Sequence, residues 1–185
     1  MRAHRERGHA MRFRILLGIA GLVLFSAALP SAAATKSAHA DIVNAQGTKI
    51  GTAKITATGQ GVKIAVTVSQ LTPGEHGIHI HTVGKCEAPA FTSAGGHFNP
   101  TSAHHGIHNT QDPHPHLGDL MNLTVGQNGN ARATFLANGV TLENGAKSLF
   151  HDGGTSLVIH AKADDFMSDP SGNSGDRIAC GVIEK

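Results

Sequence analysis

The chain reads as an all-β domain, an antiparallel sandwich or barrel of about eight strands with two long functional loops, behind an export signal. Three observations predict this. Short β-branched or alternating runs recur between clusters of Gly, Asn, Asp and Pro, while helical periodicity is scarce. Two segments, 94–118 and 164–175, are too long and too rich in turn residues to be strands. The first residues have the three-part layout of a leader.

That leader comes first in the chain. "MRAHRERGHAMRFR" is a basic region, "ILLGIAGLVLFSAAL" is apolar, and "PSAAATKSAHA" supplies small residues at A-x-A spacing. The apolar run is shorter than the roughly 20 residues that span a bilayer, so a cleaved signal is expected rather than a retained anchor. Cleavage is expected after Ala34 or after Ala40, leaving a signal peptide over 1–40 and one domain over 41–185. The leader holds six of the 15 Lys and Arg residues and one of the 13 acids. The remainder, with nine basic and twelve acidic residues, carries a net charge of −3. The basic balance thus belongs to export and does not point to nucleic acid. Outside the cytoplasm the two cysteines, Cys86 and Cys180, read as a disulfide; as thiolate metal ligands they lack a C-x-x-C arrangement.

The strand candidates follow in order: "KIGTAKITAT", "VKIAVTVS", "HGIHIHTV", "DLMNLTV", "ARATFLA", "TSLVIHA" and "RIACGVIE". "VKIAVTVS" sets Val62, Ile64 and Val66 against Lys63, Ala65 and Thr67, the period-2 signature of one buried face. Asn128-Gly129 lies between two such runs and predicts a hairpin turn.

Histidine carries the functional signal. His79 and His81 are two apart on a predicted strand and so point from one face, where a pair can reach one ion. His76 has the opposite parity and is expected at a surface or turn. The 94–118 loop holds His97, His105 and His116, with Asp119 just beyond; three imidazoles and a carboxylate suit a tetrahedral divalent ion such as zinc. His160 ends the apolar run "LVIH". A bound metal can order a loop that no core could hold.

Taken together, H-x-H at 79–81, G-G-H-F-N-P at 95–100, H-G at 105–106, H-x-G-D-L at 116–120, V-I-H-x-K-A-D-D at 158–165 and R-I-A-C-G-V at 177–182 resemble the copper/zinc superoxide dismutase family. The resemblance runs from about Ile50 to Lys185. It implies a Greek-key β-sandwich or flattened barrel, with one copper and one zinc per chain. Copper would be held by His79, His81, His97 and His160, and zinc by His97, His105, His116 and Asp119, so that His97 is shared. Asp164 would hydrogen-bond one histidine of each set, Cys86 and Cys180 would pair, and Arg177 would guide a small anion. Superoxide is the implied substrate, His97 and Arg177 the implied catalytic residues, and the periplasm or the extracellular medium the implied location. No nucleic acid and no stable membrane anchor are expected; a homodimer and a monomer both stay open.

Some stretches depart from the family pattern. "FMSDPSGNSGDR" is short and has no lysine, so steering residues cannot be carried over to it. The gap from His105 to His116 differs in length; His114 is an alternative to His116, but only His116 has the H-x-G-D spacing, and His104 adjoins His105, but only His105 precedes Gly106. His104, His108, His114 and His151 read as solvated loop histidines, or alternatively, for the first three, as groups that capture metal during loading. A non-enzymatic metal buffer on the same fold, and an enzyme without zinc, are the rival readings. Arg177 speaks against the first, and His105, His116 and Asp119 against the second.

Overall fold

A computed structural model describes residues 36–111 and 114–185; the rest of the expected leader, before residue 36, lies outside them. Among the described residues nine strands form: β1 Ser37–Asn44, β2 Lys49–Ala57, β3 Gly61–Val68, β4 Gly74–His76, β5 Ile78–His81, β6 Leu123–Val125, β7 Ala131–Asn138, β8 Ser156–His160 and β9 Arg177–Val182. The strands are accompanied by one 3₁₀ turn, Thr92–Ala94. No helix among the described residues is long and apolar enough to cross a membrane.

Every strand pair is antiparallel. Seven strands curl into one sheet in the order β5-β8-β9-β1-β2-β3-β7, and β4 pairs with β6 in a small second sheet. The period-2 reading of β3 is what the fold uses: Val62, Ile64, Val66 and Val68 are buried while Lys63 and Thr67 face water. These side chains join Ile42, Ile55, Ile78, Ile80, Leu123, Leu157 and Ile159 in the main core. Burial of each such side chain stabilises the fold by about 1.5–3 kcal/mol, before the opposing loss of chain entropy is counted.

Three features differ from the expectations drawn from sequence. Strand β1 begins at Ser37, inside the span expected as leader, because Ala38, Ala40 and Ile42 alternate inward and pair along β2. Small alanines at A-x-A spacing serve a signal cleavage site and a buried strand face equally well, so composition could not separate the two. The Asn128-Gly129 turn forms, with Gly129 at φ 73°, but it does not close a hairpin. β6 pairs with β4 and β7 with β3, since the chain changes sheets at the turn. His76 is buried rather than at the surface: β4 ends at His76, and the chain passes through Gly77 from the small sheet to β5 of the main one. There its Nδ1 lies 2.7 Å from the His160 carbonyl and its Nε2 2.8 Å from the Thr72 carbonyl.

β5 and β8 position the site. Ile78 and Ile80 point into the core, so His79 and His81 must point to the other side of the sheet. In β8, Leu157 and Ile159 point inward and Val158 and His160 outward. His79 pairs with Val158, which sets His160 diagonally beside it on the same face. All three imidazoles are nevertheless buried, because the long loops cover that face.

Candidate metal centre

The covering loops are tied to the free edge of β5. Isolated bridges place His97 opposite His81 and Asp119 opposite His79. The Phe98 amide donates to the Ile80 carbonyl at 2.8 Å, and the Ile80 amide donates to the Gly118 carbonyl at 2.9 Å. Gly118 fits only because it has no side chain: a Cβ there would collide with the Ile80 carbonyl. The glycine of the H-x-G-D run therefore seats Asp119 against the strand.

Two ligand-like groups result. The donor atoms of His79, His81, His97 and His160 lie within 4.8 Å of one another, as do those of His97, His105, His116 and Asp119. In the first group His79, His81 and His160 each have one nitrogen already engaged. His79 donates through Nε2 to Asp164 Oδ2 at 2.7 Å, His81 through Nδ1 to the Gly95 carbonyl at 2.9 Å, and His160 through Nδ1 to the Gly175 carbonyl at 3.1 Å. The remaining nitrogens, His79 Nδ1, His81 Nε2 and His160 Nε2, are buried without a hydrogen-bond partner, and so is His97 Nε2. A buried unsatisfied polar atom costs about 1–3 kcal/mol. Four of them converging is a donor set arranged for something other than protein, and four imidazole nitrogens suit copper.

In the second group Asp119 Oδ1 lies 2.8 Å from His97 Nδ1, 3.0 Å from His105 Nδ1 and 3.3 Å from His116 Nδ1. Those spacings are close to the roughly 3.3 Å edge of a tetrahedron around zinc at its usual bond lengths. The Asp119 carboxylate is fixed in this orientation, because its other oxygen accepts the amides of Gly106 and His116 at 3.0 and 3.1 Å. His97 thus turns Nδ1 to one group and Nε2 to the other. Asp164 spans both, accepting from His79 Nε2 and, at 3.0 Å, from His105 Nε2. Its own backbone is clasped by Asn122, whose amide side chain bonds both the Asp164 N–H and its C=O.

The electrostatics differ between the groups. Burial, with the neighbouring imidazoles adding to it, lowers His81 to about 2 and His160 to about 3. Burial likewise lowers His97 to about 4, with Asp119 opposing it in part. These rings are neutral at neutral pH and offer lone pairs. His105 goes the other way: burial disfavours its charge, but the hydrogen bonds to Asp119 and Asp164 outweigh it and raise it to about 9. Both carboxylates are held well below their usual range, against burial, by their histidine partners.

An open cleft of about 390 Å³ leads to the first group, lined by His81, His97 and His160 together with Pro170, Ser171 and Arg177. The Arg177 guanidinium is fixed by 2.7 Å bonds to the Phe91 and Gly95 carbonyls. A disulfide joins Cys86 to Cys180, pinning that segment to β9 with a sequence separation of 94.

This constellation belongs to a pattern that is matched along most of the chain. Residues 49–183 match the family described as copper/zinc superoxide dismutase. The chain belongs to that family. It is 49% identical to superoxide dismutase Cu-Zn 1 of Aquifex aeolicus, over 88% of this chain and 94% of that protein. A superoxide dismutase-like protein from Bacillus subtilis has a crystal structure that superposes with a TM-score of 0.74 at 37% identity, covering 78% of this chain and 96% of that one. The copper/zinc superoxide dismutase of Brucella abortus gives a TM-score of 0.64 at 28% identity, covering 80% and 100%.

The structure places the expected site residues of this family member in one connected region: the two ligand groups sharing His97, Asp164 between them, and Arg177 at the cleft. Of the remaining loop histidines, His104 bonds Asp169, His108 sets its ring edge-on to Phe166, and His114 is exposed. His151 is not solvated as expected: its ring stacks on Phe98, 5.3 Å between centroids, and its buried Nε2 has no hydrogen-bond partner. The Gly95 carbonyl, which serves both His81 and Arg177, and the clasp by Asn122 were invisible in the sequence. A backbone oxygen has no letter, and Asn122 sat in a run that read as strand.

Proposed function

We propose that this chain is an exported superoxide dismutase that holds one copper and one zinc. The observation that carries it is the convergence of four partnerless buried nitrogens on a cleft whose wall presents a fixed guanidinium. His79, His81, His97 and His160 would hold copper; His97, His105, His116 and Asp119 would hold zinc. Bound copper would supply one-electron chemistry, so that two superoxide ions and two protons become dioxygen and hydrogen peroxide.

The chain's own residues do the rest. Arg177, anchored at both ends of its fork, attracts and orients a small anion beside the four nitrogens. His97 lines the cleft, and its buried, unpartnered Nε2 is the atom at which a proton can be kept for the product. Asp164 accepts from Nε2 of both His79 and His105, so the Nδ1 atom of each ring is the one directed into its ligand group. A passive metal buffer has no use for a guanidinium tied into the cleft wall, which favours catalysis over storage.

Export with cleavage after Ala34 is the companion proposal. Ala38 and Ala40 are buried in β1, and cleavage after Ala40 would cut away half of that strand. N-terminal sequencing of the mature protein tests it; a start at Asp41 refutes it. The activity is tested by superoxide removal with the metal-loaded protein alongside copper and zinc quantitation. One ion of each per chain with rapid removal supports the reading, and a fully loaded protein that leaves superoxide unchanged sinks it.

A further inference from the structure

His105 is gripped twice by a single loop. Asp164, where the 164–175 loop begins, accepts from the His105 ring. Asp169, further along it, accepts the His105 backbone amide on Oδ1 at 2.6 Å and binds His104 Nδ1 through Oδ2 at 2.6 Å. The two loops also meet backbone to backbone: the His108 amide donates to the Phe166 carbonyl at 2.9 Å, and Asn109 Nδ2 donates to the Met167 carbonyl at 3.2 Å. Gly106, at φ 92°, lies so close to the Phe166 peptide that any side chain would collide with it.

We propose that Asp169 is a positioning residue: it latches the 164–175 loop onto His104 and His105 and thereby sets how slowly zinc leaves. The proposal rests on the metal assignment above and adds a residue to it. A charged acceptor on a backbone amide is a strong form of hydrogen bond, and this one holds the main chain of a ligand rather than its ring. If the loop lifts, His105 loses its backbone anchor and its ring partner together. The imidazole can then turn away from Asp119, which a stationary loop forbids. His104, which adjoins an implied ligand yet joins neither metal group, acquires a role here as the second arm of the latch. Asp169 also precedes Pro170 and Ser171 in the cleft wall, so the latch holds that wall in place as well.

The test uses the metal-loaded protein and the variants Asp169→Ala, Asp169→Asn and His104→Ala. Zinc transfer to a chromogenic chelator and copper retention are followed in the same sample, and exchange of the His105 amide is measured in the metal-free protein. Loss of a residue that orients a ligand costs about 10–100-fold, so zinc release from Asp169→Ala is expected to be at least about tenfold faster, with copper release changed less than about twofold. Asp169→Asn keeps an oxygen for the His105 amide and is expected to recover most of the retention; His104→Ala is expected to cost less than about threefold. Equal acceleration of both metals would show general destabilisation and overturn the proposal. So would zinc release unchanged in Asp169→Ala, or an Asn variant as leaky as the Ala one. Should the parent bind no zinc, the metal assignment fails, while the amide exchange comparison still decides whether Asp169 holds His105.

Discussion

Replacing Arg177 by alanine removes the cation that the cleft presents beside the four nitrogens. A pair of unit charges about 4 Å apart is worth about 1 kcal/mol in water and about 4 kcal/mol at an effective dielectric of 20. The cleft is open and Arg177 only partly buried, so the loss lies toward the lower figure, at about 1–2 kcal/mol. That corresponds to a second-order rate about 5- to 30-fold lower. Copper retention should not suffer. The Gly95 carbonyl loses its bond from Arg177 but keeps the one from His81 Nδ1, so that ring stays oriented. Arg177→Lys keeps the charge yet cannot span both carbonyls, and is expected to fall between the two. The assay is the decay of superoxide over a range of ionic strength, with copper measured in each sample. The alanine variant should be slower and less sensitive to salt at unchanged copper. Collapse of copper occupancy, or an undiminished salt slope, would refute the reasoning.

Further expectations concern the frame around the metals. Zinc affinity should rise with pH, by up to about tenfold per unit, until about pH 9. The sign follows from His105, whose folded value is raised from 6.5 to about 9, so the metal-free protein takes up a proton there that zinc must displace. The proton's contribution to the metal-free fold is complete below pH 6.5 and disappears as pH rises through about 9; competition titrations should show the trend, and an affinity flat in pH would exclude it. Reducing Cys86–Cys180 should cost about 4–5 kcal/mol by chain entropy and free the segment whose carbonyls hold Arg177. Melting temperature and superoxide removal should both drop, and an unchanged rate after verified reduction would contradict the anchoring role. Gly118→Ala should lower stability by about 2–3 kcal/mol and shed zinc, because the loop must lift off Ile80 and carry Asp119 with it. Parent-like zinc content in that variant would count against the close approach.

Much of the fold was legible because strands write their burial in a period of two, and β3 shows this most clearly. The same rule misread His76, since parity predicts which face a residue takes only while the strand stays in one sheet, and Gly77 ends that condition. It also passed over β1, whose alternating alanines look like a processing site. At the centre, the histidine motifs were readable because metal ligands cannot be exchanged for other side chains. The anchors were not: Asn122, Asp169 and the Gly95 carbonyl act through hydrogen bonds whose partners lie far away in sequence, and any polar letter in those loops would look the same.

By itself, then, the order of residues determined which side chains can bind metal, which faces are apolar and where cysteine can cross-link. These are properties of individual groups and of local periodicity. Only the tertiary structure decided that His97 presents one nitrogen to each group, that Asp164 reaches two rings at once, and that one loop grips His105 from both ends. Each of these depends on the distance and direction between atoms on separate segments, which the curl of the sheet and the loops laid across β5 establish.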